Sequence, residues 1–214
     1  MKNLLLTICA LATIGCSYQE DNGYPSHWWE PVPDGDLQWW EISPDAAGEN
    51  EVVLSKRNEL GILSNFADTP FEYRGKRYRT VEGLWQSMLY PENIEDPRID
   101  SAEWPHKREE VEQMLGFPAK EAGEFGDEVM KTMNIDWVTF EGRRMRYWTS
   151  EKGPHYEIIR EVMMAKIDQN PKVREILLAT GDLVLLPDHI TTPEDPPAWR
   201  YYQIWMEIRE SLDK

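Results

Sequence analysis

Glu82 and Gln86 stand four residues apart in a segment whose apolar residues, Val81, Leu84, Trp85, Met88 and Leu89, recur at helical spacing. On a helix, that interval puts carboxylate and amide on one face, beside Trp85. Two readings follow. In a first helical turn the acid is a solvated partner of the helix dipole. In a pocket it can stabilise positive charge developing on a substrate, or activate water.

Lys166 poses a similar choice. It follows Val162 by four residues and Ile159 by seven, so it projects near the apolar face of a helix expected over Pro154 to Gln169. Such a lysine either snorkels outward or is desolvated. Desolvation lowers its pKa and makes it a nucleophile or the partner of a buried acid. Arg143, Arg144 and Arg146 form a dense basic cluster. It is read either as a solvated hairpin balancing nearby acids or as a phosphate clamp, since arginine pairs phosphate bidentately.

The elements that must position these groups are mostly helical. After the segment around Glu82 come a helix from Pro105 to Gly116, another through Phe117 to Gly126, and Pro154 to Gln169. Asn170-Pro171 starts the next helix, which Gly181 ends, and Ala198 to Leu212 makes the last. Short strands are expected at Val52 to Leu54, in a hairpin turning at Arg74-Gly75-Lys76, and in a second hairpin near 137–147 turning at Glu141-Gly142. Leu183 to Leu186 is a short apolar run leading to Pro187-Asp188-His189. The fold class expected is mainly α, a single helical domain with short strands and hairpins.

Several pieces occur in a recognisable order. Gly61-x-Leu63-Ser64-Asn65-Phe66 precedes the first hairpin, and Tyr78-x-Thr80-x-Glu82-x-x-x-Gln86 follows it. Ala119-Lys120 with Gly123, Ala165-Lys166-Ile167, Leu177 to Thr180 and Met206 to Glu210 come later. This ordered set, across roughly residues 51–214, resembles the NADAR family, whose members hydrolyse N-glycosidic bonds of ribosides, either flavin-pathway intermediates or ADP-ribose adducts. The resemblance implies Glu82 and Lys166 as catalytic residues, Lys166 either through a Schiff base with the opened ribose or by holding the leaving group by charge, with Asp188 protonating the departing base. Asn65 and Gln86 would hydrogen-bond the sugar or base, and Trp85 and Trp199 would stack on the ring. On the phosphate-clamp reading of the basic cluster, Arg143 would hold a phosphate. No cofactor is expected, and a cysteine-free domain with scattered histidines offers no metal site. The chain departs from the family in two places. Gly83 stands where a histidine often follows the helix acid, and Asp188-His189 with prolines replaces a Gly-rich Trp-Gly-Asp loop.

Composition bounds the alternatives. The 214 residues suffice for one domain, and the formal charge of -16 opposes sequence-independent binding to nucleic-acid phosphates. Ten Trp and nine Tyr suit flat ligands as well as packing. There is no P-loop, dinucleotide fingerprint, His-Glu-x-x-His motif or serine elbow, and the four histidines are scattered.

Residues 1–16 resemble a lipoprotein signal with Cys16 as the lipidated residue, and both cysteines lie within it. Residues 17–50 read as a Pro- and Trp-rich strap or linker, and 51–214 as the domain. The expectation is a membrane-anchored envelope hydrolase of a riboside or ADP-ribosyl ligand. Two alternatives stand beside it: a module that binds nucleotide or ADP-ribose without turnover, and a structural envelope lipoprotein.

Overall fold

The computed structural model describes residues 23–212. Cys16 and the proposed signal lie outside the described residues. Among the described residues no helix is long and apolar enough to cross a membrane.

The architecture is mixed α/β, which corrects the mainly α expectation: among the described residues 42% are helical and 12% strand, with six α-helices and several small sheets. Each sheet has two strands. Strand β1 (Glu51–Val53) pairs in parallel with β6 (Val184–Leu186), with Glu51 opposite Val184 and Val53 opposite Leu186. The hairpin β2–β3 (Phe71–Tyr73, Lys76–Tyr78) turns through Arg74 at φ 49° and Gly75 at φ 78°. Two successive residues at positive φ match the right-handed twist of the flanking strands. The hairpin β4–β5 (Trp137–Phe140, Arg143–Arg146) turns in the same way through Glu141 and Gly142.

The helices are α1 (Val81–Ser87), α2 (Arg108–Val111), α3 (Gly116–Thr132), α4 (Pro154–Gln169), α5 (Pro171–Ala179) and α6 (Tyr201–Leu212). The helix expected from Pro105 to Gly116 shrinks to the single turn of α2. The Glu110 carboxylate caps the Lys107 amide at 2.8 Å, and the Met114 carbonyl is taken by the Thr80 hydroxyl at 3.0 Å. Gly116, at φ 45°, breaks the chain direction, and α3 then runs six residues beyond the expected Gly126.

The core is one continuous cluster in which Leu84 of α1 and Met88 at its C-cap, Ile159, Val162 and Met163 of α4, and Ile204, Trp205 and Ile208 of α6 are wholly buried. The end of α1 is held by two buried arginines. Arg98 Nη1 donates to the Met88 and Leu89 carbonyls at 3.1 and 3.0 Å, and its guanidinium pairs with Asp96 at 2.7 Å. Arg108 Nη1 donates to the Tyr90 carbonyl at 3.0 Å and Nη2 to the Thr139 carbonyl at 2.7 Å. These guanidiniums supply donors to the buried carbonyls of the turn that follows α1 and tie it to β4.

The strap crosses the domain. Trp28 is buried and donates Nε1 to Glu59 at 2.8 Å, and Trp29 Nε1 reaches the Glu51 carbonyl at 2.8 Å. Further along, Glu41 bridges to His189 and forms a two-pronged pair with Arg57 at 2.5 and 2.6 Å.

Candidate active site

The start of α1 fixes Glu82. Thr80, extended at the N-cap, accepts the Gly83 amide at 2.9 Å, and the Glu82 amide donates to the Asn65 carbonyl at 3.0 Å. The loop carrying Asn65 is itself held from beneath: Trp205 Nε1 donates to the Leu63 carbonyl at 2.7 Å and Lys166 Nζ to the Ser64 carbonyl at 2.8 Å. Helices α4 and α6 thereby set the height of the loop against α1.

Above these residues lies a cavity of about 650 Å³. Glu82, Asn65, Trp85, Gln86 and Trp199, expected from sequence to act together, all line it. Trp85 and Trp199 meet edge to face at 6.3 Å, and Tyr147 packs against Trp199 at 5.3 Å. Aromatic walls of this kind receive flat rings. Asn65 Oδ1 and Trp199 Nε1 are buried without a hydrogen-bond partner. An acceptor and a donor left orphaned on a cavity wall are available to a ligand.

Glu82 is 5% exposed, and Gln86 Nε2 donates to its Oε1 at 2.7 Å. Burial raises its carboxyl to about 7, against the opposing pull of the Gln86 bond and the charges of Lys120, His189 and Lys56. At neutral pH it therefore exchanges readily between acid and base forms, as a proton-transfer group must.

Two glycines make this arrangement possible. A Cβ on Gly123 of α3 would lie 1.8 Å from Gln86 Oε1, so the Gln86 side chain occupies the space the glycine vacates. A Cβ on Gly83 would come within 2.9 to 3.1 Å of the Val111, Glu112 and Met114 carbonyls. That close approach leaves no room for the histidine often found there in the resembling family.

Other sequence-derived assignments fall elsewhere. Arg143 does not reach this cavity; it lines a separate one of about 420 Å³ with Arg74, Glu141 and Lys152. Of its neighbours, Arg144 lies over the Trp137 ring at 4.1 Å and Arg146 pairs with Asp136 at 3.2 Å. Among the described residues, only Arg146 of the three is seen paired with an acid of its own hairpin region. Lys166 does not line the cavity. It is fully buried behind the Ser64 carbonyl, with the Trp205 ring 5.8 Å away, and burial lowers its pKa to about 7. Asp188 is buried one layer back. Desolvation pushes its carboxyl up, but the His189 bond and the Lys56 ammonium outweigh that and hold it below the ordinary aspartate value. An ionised Asp188 has no proton to give a leaving base.

No family model and no curated protein matches the chain. Among solved structures, the NMR structure of the E. coli protein YbiA is similar at a TM-score of 0.47 and 22% identity, over 78% of this chain and 88% of that one. What the cavity can do chemically follows from its own side chains.

Sequence spacing did not reveal Lys56, Phe117 or His189, Trp40 was legible only as part of the strap and Phe66 only as part of the ordered motifs; all five line the cavity. Lys56 is ion-paired to Asp188 and sits over the rings of Trp40 and Phe66 at 5.6 and 5.2 Å. Trp40 belongs to the strap and packs edge to face on Phe117 at 5.7 Å. Lys120, on α3, was legible only as part of the ordered motifs, and it pairs with Glu124 at the cavity wall. Among the described residues no group of three or more His, Cys, Asp or Glu is placed to hold a metal ion.

Proposed function

We propose that the chain is a hydrolase that cleaves the N-glycosidic bond of a riboside. The observation that carries this reading is Glu82: a buried carboxyl near neutral pKa, hydrogen-bonded by Gln86, in a cavity walled by Trp85, Tyr147 and Trp199.

Cleaving a ribose–nitrogen bond develops positive charge on the sugar, as other glycosidic cleavages do. An ionised Glu82 beneath the anomeric carbon stabilises that charge and then takes a proton from the attacking water. Gln86 and the unpartnered Asn65 Oδ1 bond the sugar hydroxyls, and the aromatic wall stacks on the base. The resemblance of residues 51–214 to NADAR proteins points the same way. Lys166, sealed under the Ser64 carbonyl, acts here as a positioning residue for the Ser64–Asn65 loop and not as a Schiff-base nucleophile.

The test is base release from a panel of free and 5′-phosphorylated ribosides and ADP-ribosyl adducts, compared between the protein and Glu82→Gln. Release that the variant loses by about a hundredfold supports the reading. Tight binding of a riboside with no release replaces it with a binding module.

A further inference from the structure

We propose that His189 is the second catalytic group of this site, protonating the departing base while Glu82 serves the sugar, with Asp188 as its positioning residue. The inference rests on the riboside reading above.

A leaving nitrogen base must receive a proton, and Glu82 cannot give one while its negative charge stabilises the sugar cation. The lysine ammoniums lining the cavity are already committed, and its indole N–H groups are far too weak as acids to give up a proton. The Lys56 ammonium is held by Asp188, and that of Lys120 by Glu124. The Tyr147 and Tyr201 hydroxyls are made weaker acids, chiefly by burial.

His189 differs. Its ring lines the cavity with Nδ1 3.1 Å from Asp188 Oδ1 and is stacked parallel on Tyr201, 6.1 Å between centroids and 9° between planes. Its backbone is pinned by the bridge to Glu41, next to the bond from the Ile42 amide to the Asp188 carbonyl at 2.9 Å. An ionised Asp188 only accepts, so Nδ1 carries the hydrogen of that bond. Nε2 makes no hydrogen bond to the described residues. In the protonated ring Nε2–H is the free donor, and in the neutral ring Nε2 is the free acceptor. Carboxylate, oriented imidazole and reacting group follow the logic of other Asp–His pairs.

In the step itself the bond from the anomeric carbon to the base nitrogen breaks, and its electron pair goes to the base. The Nε2 proton of His189 passes to the base. Water adds to the anomeric carbon and gives its proton to Glu82, from which it returns through solvent to His189. The sum is one riboside and one water giving free ribose and the neutral base.

The experiment compares the full chain, His189→Gln and Asp188→Asn on two probes. Inosine needs its base protonated to leave, whereas 4-nitrophenyl β-D-ribofuranoside releases a stable phenolate unaided. His189→Gln is expected to lose about a hundredfold on inosine and less than about threefold on the nitrophenyl riboside. Equal losses on both overturn the proposal and leave the riboside reading standing; cleavage of neither probe by the parent chain also overturns the proposal, while the riboside reading is decided by base release from the panel above. The ¹⁵N shifts of the parent's neutral His189 ring supply a readout that needs no turnover. They are expected to show the Nδ1–H tautomer, which Asp188→Asn abolishes, and a parent ring protonated on Nε2 overturns the assignment.

Discussion

Gln86 Nε2 donates to Glu82 Oε1 at 2.7 Å, and it can lie there only because residue 123 has no side chain. The bond favours the ionised acid against the burial that opposes it. A hydrogen bond to a charged group is worth about 1.5 kcal/mol or more, roughly one pKa unit. Gln86→Leu is therefore expected to move the acid limb of the pH–rate profile up by about one unit, and Gly123→Ala, which expels the Gln86 side chain, to do the same. An unmoved limb in both variants refutes the coupling.

Glu82 also links activity to stability. Its folded pKa of about 7 stands above the ordinary value of 4.5, so the folded state holds a proton that the unfolded chain has released. Stability is then full below about pH 4.5 and falls as pH rises to 7, by up to about 3 kcal/mol. Glu82→Gln escapes this loss. Urea melts should give matching midpoints for the two proteins at pH 4 and a higher midpoint for the variant at pH 8; a constant offset at both values contradicts the assignment.

Lys166 has the opposite sign. Its folded pKa, about 7, lies below the ordinary 10.5, so unfolding takes up a proton between those values and stability rises with pH across that window. Lys166→Met should flatten this rise. Because the ammonium supports the Ser64 carbonyl, the variant should raise KM more than it lowers kcat. Borohydride treatment during turnover should trap no adduct on the parent chain, and an adduct at Lys166 would restore the covalent mechanism.

Arg98 is fully buried, and its guanidinium joins Asp96, the Met88 and Leu89 carbonyls and the Thr139 hydroxyl. Arg98→Met leaves Asp96 a buried charge without its counter-ion. Breaking such a pair costs about 3–5 kcal/mol, and equilibrium unfolding should show a loss of that size. A change below about 1 kcal/mol would mean that water replaces the guanidinium.

The part of the site on α1 was legible because helical spacing is local: Glu82, Trp85 and Gln86 share a face whatever surrounds them. Asn65 and Trp199 came from the resemblance, and the cavity does unite them. His189 and Lys56 were not readable as cavity residues, since loops carry them and the β1–β6 pairing places them, while Trp40 was legible only as part of the strap. Val52 to Leu54 and Leu183 to Leu186 each read as short apolar runs, but nothing in either names the other as its partner. Three-residue strands are too short to show a period, which is also why the chain looked mainly helical. The Arg143 hairpin was read correctly as a hairpin; spacing says which residues share a face, not which cavity that face meets.

The parallel pairing of residues 51–53 with 184–186 bears on how the molecule is made. A ribosome releases β1 and α1 long before β6 and α6, so Glu82 emerges without its roof or its aromatic wall. Closing a loop of that length carries a large entropic cost before any contact rewards it, which makes the closure late and slow. Until then the carboxyl is bathed in water and retains an ordinary aqueous acidity. The cavity around Glu82 is thus complete only once the segment from Trp199 through α6 has emerged, and nascent fragments ending before Trp199 carry every residue of α1 yet lack part of its aromatic wall.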